Sequence, residues 1–189
     1  MILKRVLPFA KELLANVVEK GDSVVDATAG NGHDTLYLAD LVGDSGHVYA
    51  FDVQKEAIQS TADKLEQANM IGQVSLIHDG HENVAKYVSG QVSAAIFNLG
   101  YLPGSNHEIV TRGASTIQAI ESLLHLLKVG GLIVLVVYYG HEGGKEEKET
   151  LMDFVQQLPQ SYAHVLSYQF VNQQNDPPFI LAIEKMKMS

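Results

Sequence analysis

The sequence predicts an α/β fold: a mostly parallel seven-stranded sheet with helices on both faces and an antiparallel hairpin at the C-terminal end. Three observations predict it. Short apolar runs alternate with amphipathic helical stretches over most of the chain. The first run leads into a small-residue turn, Asp26-Ala27-Thr28-Ala29-Gly30-Asn31-Gly32-His33-Asp34-Thr35, that opens a helix. The last two apolar runs are separated by a short polar segment with no room for a crossover helix.

Each element follows in order. Leu3, Val6, Leu7, Ala10, Leu13, Leu14, Val17 and Val18 have the i, i+3, i+4, i+7 spacing of an amphipathic helix over residues 3–19, which would cover one sheet face. Pro8 falls near its first turn, where a missing N–H is tolerated. Gly21-Asp22 ends the helix and residues 23–27 read as a buried strand. After the glycine turn come a helix at 34–41, a Gly43-Asp44-Ser45-Gly46 loop and a second strand at 47–51 that ends at Asp52. Ala57, Ile58, Thr61, Leu65 and Ala68 mark one side of a helix over 55–69. A third strand at 74–77 runs into His78-Asp79-Gly80-His81 and a short helix, and a fourth at 92–97 ends at Asn98.

Ile117, Ile120, Leu123, Leu124 and Leu127 mark a helix over 111–127, followed by Val129-Gly130-Gly131 and the most apolar strand, 132–138. A glycine-rich loop from Gly140 to Gly144 and a charged helix at 145–158 come next. Strands at 162–170 and 179–184 close the chain as an antiparallel pair. No repeat or low-complexity linker interrupts the alternation, so residues 1–189 read as a single domain.

Composition bounds the function. At 189 residues and 46% hydrophobic the chain can bury a full core. No apolar run approaches the roughly 20 residues of a membrane span, and no signal peptide is legible, so a cytoplasmic protein is expected. The chain has no cysteine, which excludes disulfides, cysteine-bound zinc, iron–sulfur clusters and thiolate nucleophiles. The formal charge of −9 argues against a broad nonspecific nucleic-acid surface, while leaving room for a small RNA element on a local basic patch.

In parallel α/β sheets, ligands bind outside the carboxyl ends of the strands. The turn after Ala27, Asp52, Asp79 and Asn98 all fall at that edge. Gly30 and Gly32 would let a cofactor approach the backbone. A dinucleotide fits this pattern less well, because the third position of G-x-G-x-x-G is Thr35. An acid after the second strand serves either cofactor, so Asp52 does not discriminate. An NAD-dependent dehydrogenase stays open as an alternative; the final hairpin favours methyl transfer.

The segments DATAGNGHDT (26–35), FDVQ (51–54), HDGHE (78–82), NLGYLPG (98–104), YYGHEGGKEE (138–147) and NDPPF (175–179) resemble those of a bacterial family of rRNA methylases that includes the YtqB/MnmM-type tRNA wobble-uridine methyltransferases. The resemblance covers nearly the whole chain, and NLGYLPG with GHEGG is its most specific part. It implies the class I methyltransferase (Rossmann-like) fold and S-adenosylmethionine as cofactor. The implied reaction is N-methylation of 5-aminomethyl-2-thiouridine at the tRNA wobble position, with the anticodon stem-loop as partner. rRNA or a small molecule is the alternative acceptor, and a noncatalytic cofactor-bound RNA-binding module is the alternative from another class.

Carried onto this sequence, the resemblance puts Asp26 near the methionine ammonium and the backbone of Thr28, Gly30, Asn31 and Gly32 against the cofactor. Asp34 and Thr35 serve either as cofactor contacts or as the helix start. Asp52, with Gln54 beside it, suits the ribose hydroxyls, and Asp79, Gly80 and His81 suit the adenine. Asn98-Leu99-Gly100-Tyr101 resembles the N-P-P-Y motif of amino-methylating enzymes, with both prolines replaced. There Asn98 would also border the cofactor, its side-chain oxygen orienting the substrate amine while Tyr101 stacks on the base. The alternative for Asn98 is a side chain that satisfies its own turn.

Further substrate-side candidates are Arg112, Tyr139, His141, Gly143, Lys145 and Asn175, with Lys145 and Arg112 as phosphate contacts. Asp176-Pro177-Pro178-Phe179 matches an amino-methylase string more closely than residues 98–101 do, but it precedes the last strand and reads as the hairpin mouth. His78 and His81 flank Asp79 without a further ligand set, so no metal site is assigned. An acidic chain acting on tRNA would gain from a composite surface, which suggests a homodimer.

Overall fold

The computed structural model describes residues 1–100 and 113–187. In chain order the elements are α1 (Val6–Val17), β1 (Ser23–Asp26), α2 (His33–Val42), β2 (His47–Phe51), α3 (Lys55–Gln67), β3 (Val74–Ile77), α4 (Val84–Tyr87), β4 (Val92–Leu99), α5 (Gly113–Leu126), β5 (Leu127–Val137), α6 (Gly144–Gln156), β6 (Ala163–Tyr168) and β7 (Phe179–Lys185). The strands form one sheet in the order β3-β2-β1-β4-β5-β7-β6. Pairs among β1 to β5 are parallel, and β7 runs antiparallel to both β5 and β6. This is the predicted α/β sheet. The returning strand β7 lies beside β5, so β6 is the outer edge.

Side chains alternate across the sheet with period two, and the alternation divides the core into two layers. Val24, Ala94, Ile96, Val134, Val136, Ile180 and Ala182 face α1, α2 and α3, against Ala10, Leu14, Leu38 and Leu65. Val25, Ala95, Phe97, Ile133, Leu135, Leu181 and Ile183 face the other way, against Val84, Ile120, Leu123, Leu151 and Val155 of α4, α5 and α6. The buried residues Val6, Ala10, Leu14 and Val18 are spaced by one helical turn, which is why α1 lies flat on the sheet. Helix formation begins later than the sequence suggests, at Val6, because Met1, Ile2 and Leu3 find no apolar surface and stay exposed.

β5 begins five residues before the predicted 132. Leu127 pairs with Val92, and the ladder resumes at Ala94 and Leu132, so Lys128–Gly131 forms a bulge opposite Ser93. Gly130 takes φ +79° within it, and Lys128 reaches back to Asp22 at 3.3 Å. The glycine pair therefore sits inside a strand instead of ahead of it. Likewise Asn98 lies within β4, paired with Val136. It shares a sheet face with Ile96 and thus points to the side that holds α2.

Among the described residues no helix is long and apolar enough to cross a membrane.

Candidate active site

The carboxyl edge of the sheet carries a cavity of 990 Å³, within the range of small-molecule sites. Its floor is the turn after β1. The backbone donors of that turn reach sideways to both neighbouring strands. Ala27 N–H donates to the carbonyl of Ile96 at 2.9 Å, and Ala29 N–H to that of Phe51 at 2.9 Å. Gly30 N–H then donates to Oδ2 of Asp52 at 2.9 Å, while Asp52 Oδ1 accepts the N–H of Gln54 at 2.9 Å. Asp52 thus fixes the turn and its own loop while bordering the cavity. A carboxylate has about four acceptor sites, so lone pairs remain for a ligand hydroxyl.

The loop after β3 forms a second wall. Asp79 accepts the hydroxyl of Tyr87 at 2.7 Å, the N–H of Gly80 at 2.8 Å and the amide of Asn83 at 2.9 Å. The Tyr87 bond leads in holding its carboxyl below the usual carboxylate pKa. His81 is 7% exposed, stacks edge-on to Phe97, and has Nδ1 3.1 Å from the carbonyl of Ala27. A carbonyl only accepts, so Nδ1 carries the proton. Burial lowers the pKa of the ring, which keeps it neutral and leaves Nε2 an acceptor. Nε2 is buried and meets no donor among the described residues, although His81 borders the cavity.

The third wall is the end of β4. Asn98 N–H donates to the hydroxyl of Thr28 at 2.7 Å, and its side-chain Nδ2 donates to Oδ2 of Asp34 in the first turn of α2. Beneath them, Oδ1 of Asp26 accepts the N–H of Thr28 at 3.1 Å and Oδ2 accepts the hydroxyl of Thr35 at 2.6 Å. Asp26 is fully buried, and burial followed by the charge of Asp34 pushes its pKa up to about 7. Asp34 is also shifted upward, chiefly by burial, against the pull of Asn98 and Lys11.

The structure therefore sorts the sequence candidates. Thr28, Gly30, Asn31, Asp34, Asp52, Gln54, Asp79, Gly80, His81, Asn98, Leu99, Gly100, Tyr139 and His141 border one cavity. Asp26 and Thr35 do not: Asp26 lies beneath α2, and Thr35, in the first turn of that helix, donates to the Asp26 carboxylate. Gly32 does not border it either. At φ +82° its missing Cβ would lie 2.9 Å from Cα of Thr61, so glycine is needed there for the approach of α3. Gly143 is the left-handed residue before α6, and Lys145 is exposed on that helix away from the cavity. Gly144 shapes the loop, since a Cβ there would come within 2.5 Å of the carbonyl of Tyr139. Asn175 is left-handed at φ +65° and lies off the cavity, which its neighbour Asp176 borders instead. Tyr101 and Arg112 lie outside the described residues.

Several wall residues were not singled out in the sequence. Leu7 and Lys11 enter from the exposed side of α1, and Ser115 from α5. Tyr138, read as the mere end of a strand, also borders the cavity, and burial raises the pKa of its hydroxyl. Tyr139 packs edge-on to Phe179 and carries the ammonium of Lys148 4.0 Å from its ring centroid.

A family model described as "Putative rRNA methylase" matches residues 48–184. The chain is 39% identical, over 96% of its length and 70% of the relative's, to the chloroplastic tRNA (mnm(5)s(2)U34)-methyltransferase of Arabidopsis thaliana. A Clostridium thermocellum crystal structure under the same family description superposes with a TM-score of 0.97 at 45% identity, covering 98% of this chain and 100% of that one. A Streptococcus mutans structure of the methyltransferase class, solved in complex with SAH, gives 0.91 at 43% identity over 98% and 100%.

Proposed function

The chain belongs to the rRNA methylase family, and from that premise we propose that it is an S-adenosylmethionine-dependent tRNA methyltransferase. Its substrate is 5-aminomethyl-2-thiouridine at the wobble position, which it N-methylates. The observation that carries the chemistry is the pairing of Asn98 Nδ2 with Asp34. With the nitrogen end of the amide engaged, Oδ1 is the end left to accept a hydrogen bond from an amine. Among the described residues it has no donor of its own.

The residues present fit the cofactor. The cavity is large enough for it, Asp52 offers carboxylate oxygens suited to a ribose diol, and the orphaned Nε2 of His81 is an acceptor beside Asp79 and Gly80. When bound, the cofactor supplies an electrophilic sulfonium methyl that an amine displaces directly. The protein's part is orientation and exclusion of water, which alone lower such a barrier substantially. Asn98 accepts from the amine and aims its lone pair. Tyr138 and Tyr139 border the cavity, and exclusion of water from it disfavours a charged ammonium, whose pKa as a free alkylamine is about 10. The absence of cysteine agrees with an amine acceptor, because covalent activation of a pyrimidine carbon needs a thiolate.

The tRNA substrate is supported by the Arabidopsis relative. The test is to offer methyl-labelled S-adenosylmethionine with hypomodified tRNA, with ribosomal RNA and with nucleosides in parallel. Label entering the tRNA alone is expected. Label entering ribosomal RNA alone rejects the tRNA proposal, and binding of NADH without S-adenosylmethionine rejects the methyltransferase proposal altogether.

A further inference from the structure

We propose that Asp34 is a positioning residue for methyl transfer: its carboxylate holds the Nδ2 end of Asn98 so that Oδ1 is kept as the acceptor for the substrate amine. The proposal rests on the assignment of Asn98 as the amine-orienting group and gives Asp34 a role distinct from contact with the cofactor.

An asparagine amide is nearly symmetric in shape and opposite in chemistry at its two ends. Rotated by half a turn it would offer an amine two donors in place of an acceptor. The backbone of Asn98 is already fixed by the β5 ladder and by Thr28, so the side-chain torsions are the freedom that remains. Asp34 removes it, because an ionised carboxylate only accepts and therefore selects the NH2 end. Three features of the position of Asp34 support that ionised form against burial. It lies in the first turn of α2, where the helix dipole stabilises negative charge, and Lys11 of α1 and His33 of its own helix face it. Asp26 below and burial oppose ionisation, and Tyr138 stands across the site as a neutral hydroxyl.

The balance gives the device a pH dependence. The pKa of Asp34 stands above that of an ordinary carboxylate, with burial the first cause. Once protonated, Asp34 becomes a donor and can pair with Oδ1, which stabilises the reversed amide. Correct orientation is therefore present above this raised pKa and lost as pH falls through it.

The test uses the full-length protein with Asp34→Asn and Asp34→Ala. In the first arm the side-chain amide resonances of Asn98, identified by their loss in Asn98→Asp, are followed by ¹⁵N NMR across pH. They are expected to titrate in the wild type and to shift in Asp34→Ala. In Asp34→Asn, which can still accept from Asn98, they should stay flat with pH. In the second arm, Asp34→Ala is expected to lower kcat by at least about tenfold, with affinity for S-adenosylhomocysteine, read by calorimetry, within about threefold. Asp34→Asn can donate as well as accept, so it no longer selects the NH2 end of Asn98; it should lower kcat less than Asp34→Ala does and abolish the acid limb of the pH profile. Asn98 resonances that ignore both pH and Asp34→Ala overturn the proposal. So does a loss of S-adenosylhomocysteine affinity as large as the loss of kcat, which would make Asp34 a cofactor contact. Failure of the wild type to methylate tRNA would instead reject the substrate, and the NMR arm reads the Asp34–Asn98 pair independently of it.

Discussion

The hydroxyl of Thr28 accepts the backbone N–H of Asn98 at 2.7 Å, across 70 residues of sequence. It ties the glycine-rich turn to the end of β4, so the part of the site suited to hold a cofactor and the part suited to aim an acceptor are one rigid body. Thr28→Val removes the acceptor at nearly constant volume. It should cost about 1 kcal/mol of stability and about tenfold to a hundredfold in turnover, while Thr28→Ser keeps both. Urea denaturation with steady-state kinetics reads both quantities, and equal behaviour of the Val and Ser variants would deny the bond a role.

Asn98 is the residue on which the chemistry depends most. Asn98→Ala should lower kcat by about a hundredfold or more while affinity for the cofactor changes little. Calorimetry beside single-turnover kinetics separates the two, and parallel losses would make Asn98 a structural residue.

Asp52 joins Gly30 to Gln54 while bordering the cavity. Asp52→Ala should weaken cofactor binding by about tenfold or more, the worth of a charge-assisted hydrogen bond. Unchanged affinity by calorimetry would reject its assignment to the ribose.

Asp26 gives a pH prediction with a definite sign. Its pKa is pushed from 3.8 in the unfolded chain to about 7 in the fold, by burial first and the charge of Asp34 second. The folded state binds the proton more tightly, so this contribution to stability is complete below pH 4. It is lost progressively as pH rises to about 7. Asp26→Asn lacks the titration and can still bond Thr28 and Thr35. Its stability relative to wild type should therefore improve from pH 4 to 8 in urea denaturation. A difference that stays constant with pH would contradict the burial of an ionisable carboxyl there.

Gly32→Ala should destabilise the fold by about 1–3 kcal/mol, because φ is +82° and the new Cβ would meet the backbone of Thr61 at 2.9 Å. A thermal melt within experimental error of wild type would show that α3 can move away.

Much of this was legible in the sequence because alternation and punctuation are local properties. Apolar runs of strand length, each followed by Gly, Asp or Asn, located β1 to β4 and the edge at which their ends converge. Side-chain direction was not legible. Asp26 and Thr35 belong to the turn in sequence, yet the pleat aims Asp26 at α2, where the pair bonds to itself. Gly32 answers to α3, a partner that spacing within the motif cannot reveal. Leu7 reads as part of the apolar stripe of an amphipathic helix and Lys11 as a charge that interrupts the apolar run, and only the placement of α1 over the strand ends turns them into cavity wall. At the hairpin, left-handed backbone at both Asn175 and Asp176 presents the second of the two.

The central claim is methyl transfer to the aminomethyl group of a wobble uridine. The most direct measurement incubates the protein with methyl-labelled S-adenosylmethionine and tRNA carrying 5-aminomethyl-2-thiouridine, digests the tRNA and identifies the labelled nucleoside by mass spectrometry. The expected product is the methylaminomethyl nucleoside, labelled at its nitrogen substituent, formed by wild type and nearly absent with Asn98→Ala. A labelled nucleoside other than this one, or no label in tRNA while the cofactor is bound, would contradict the claim.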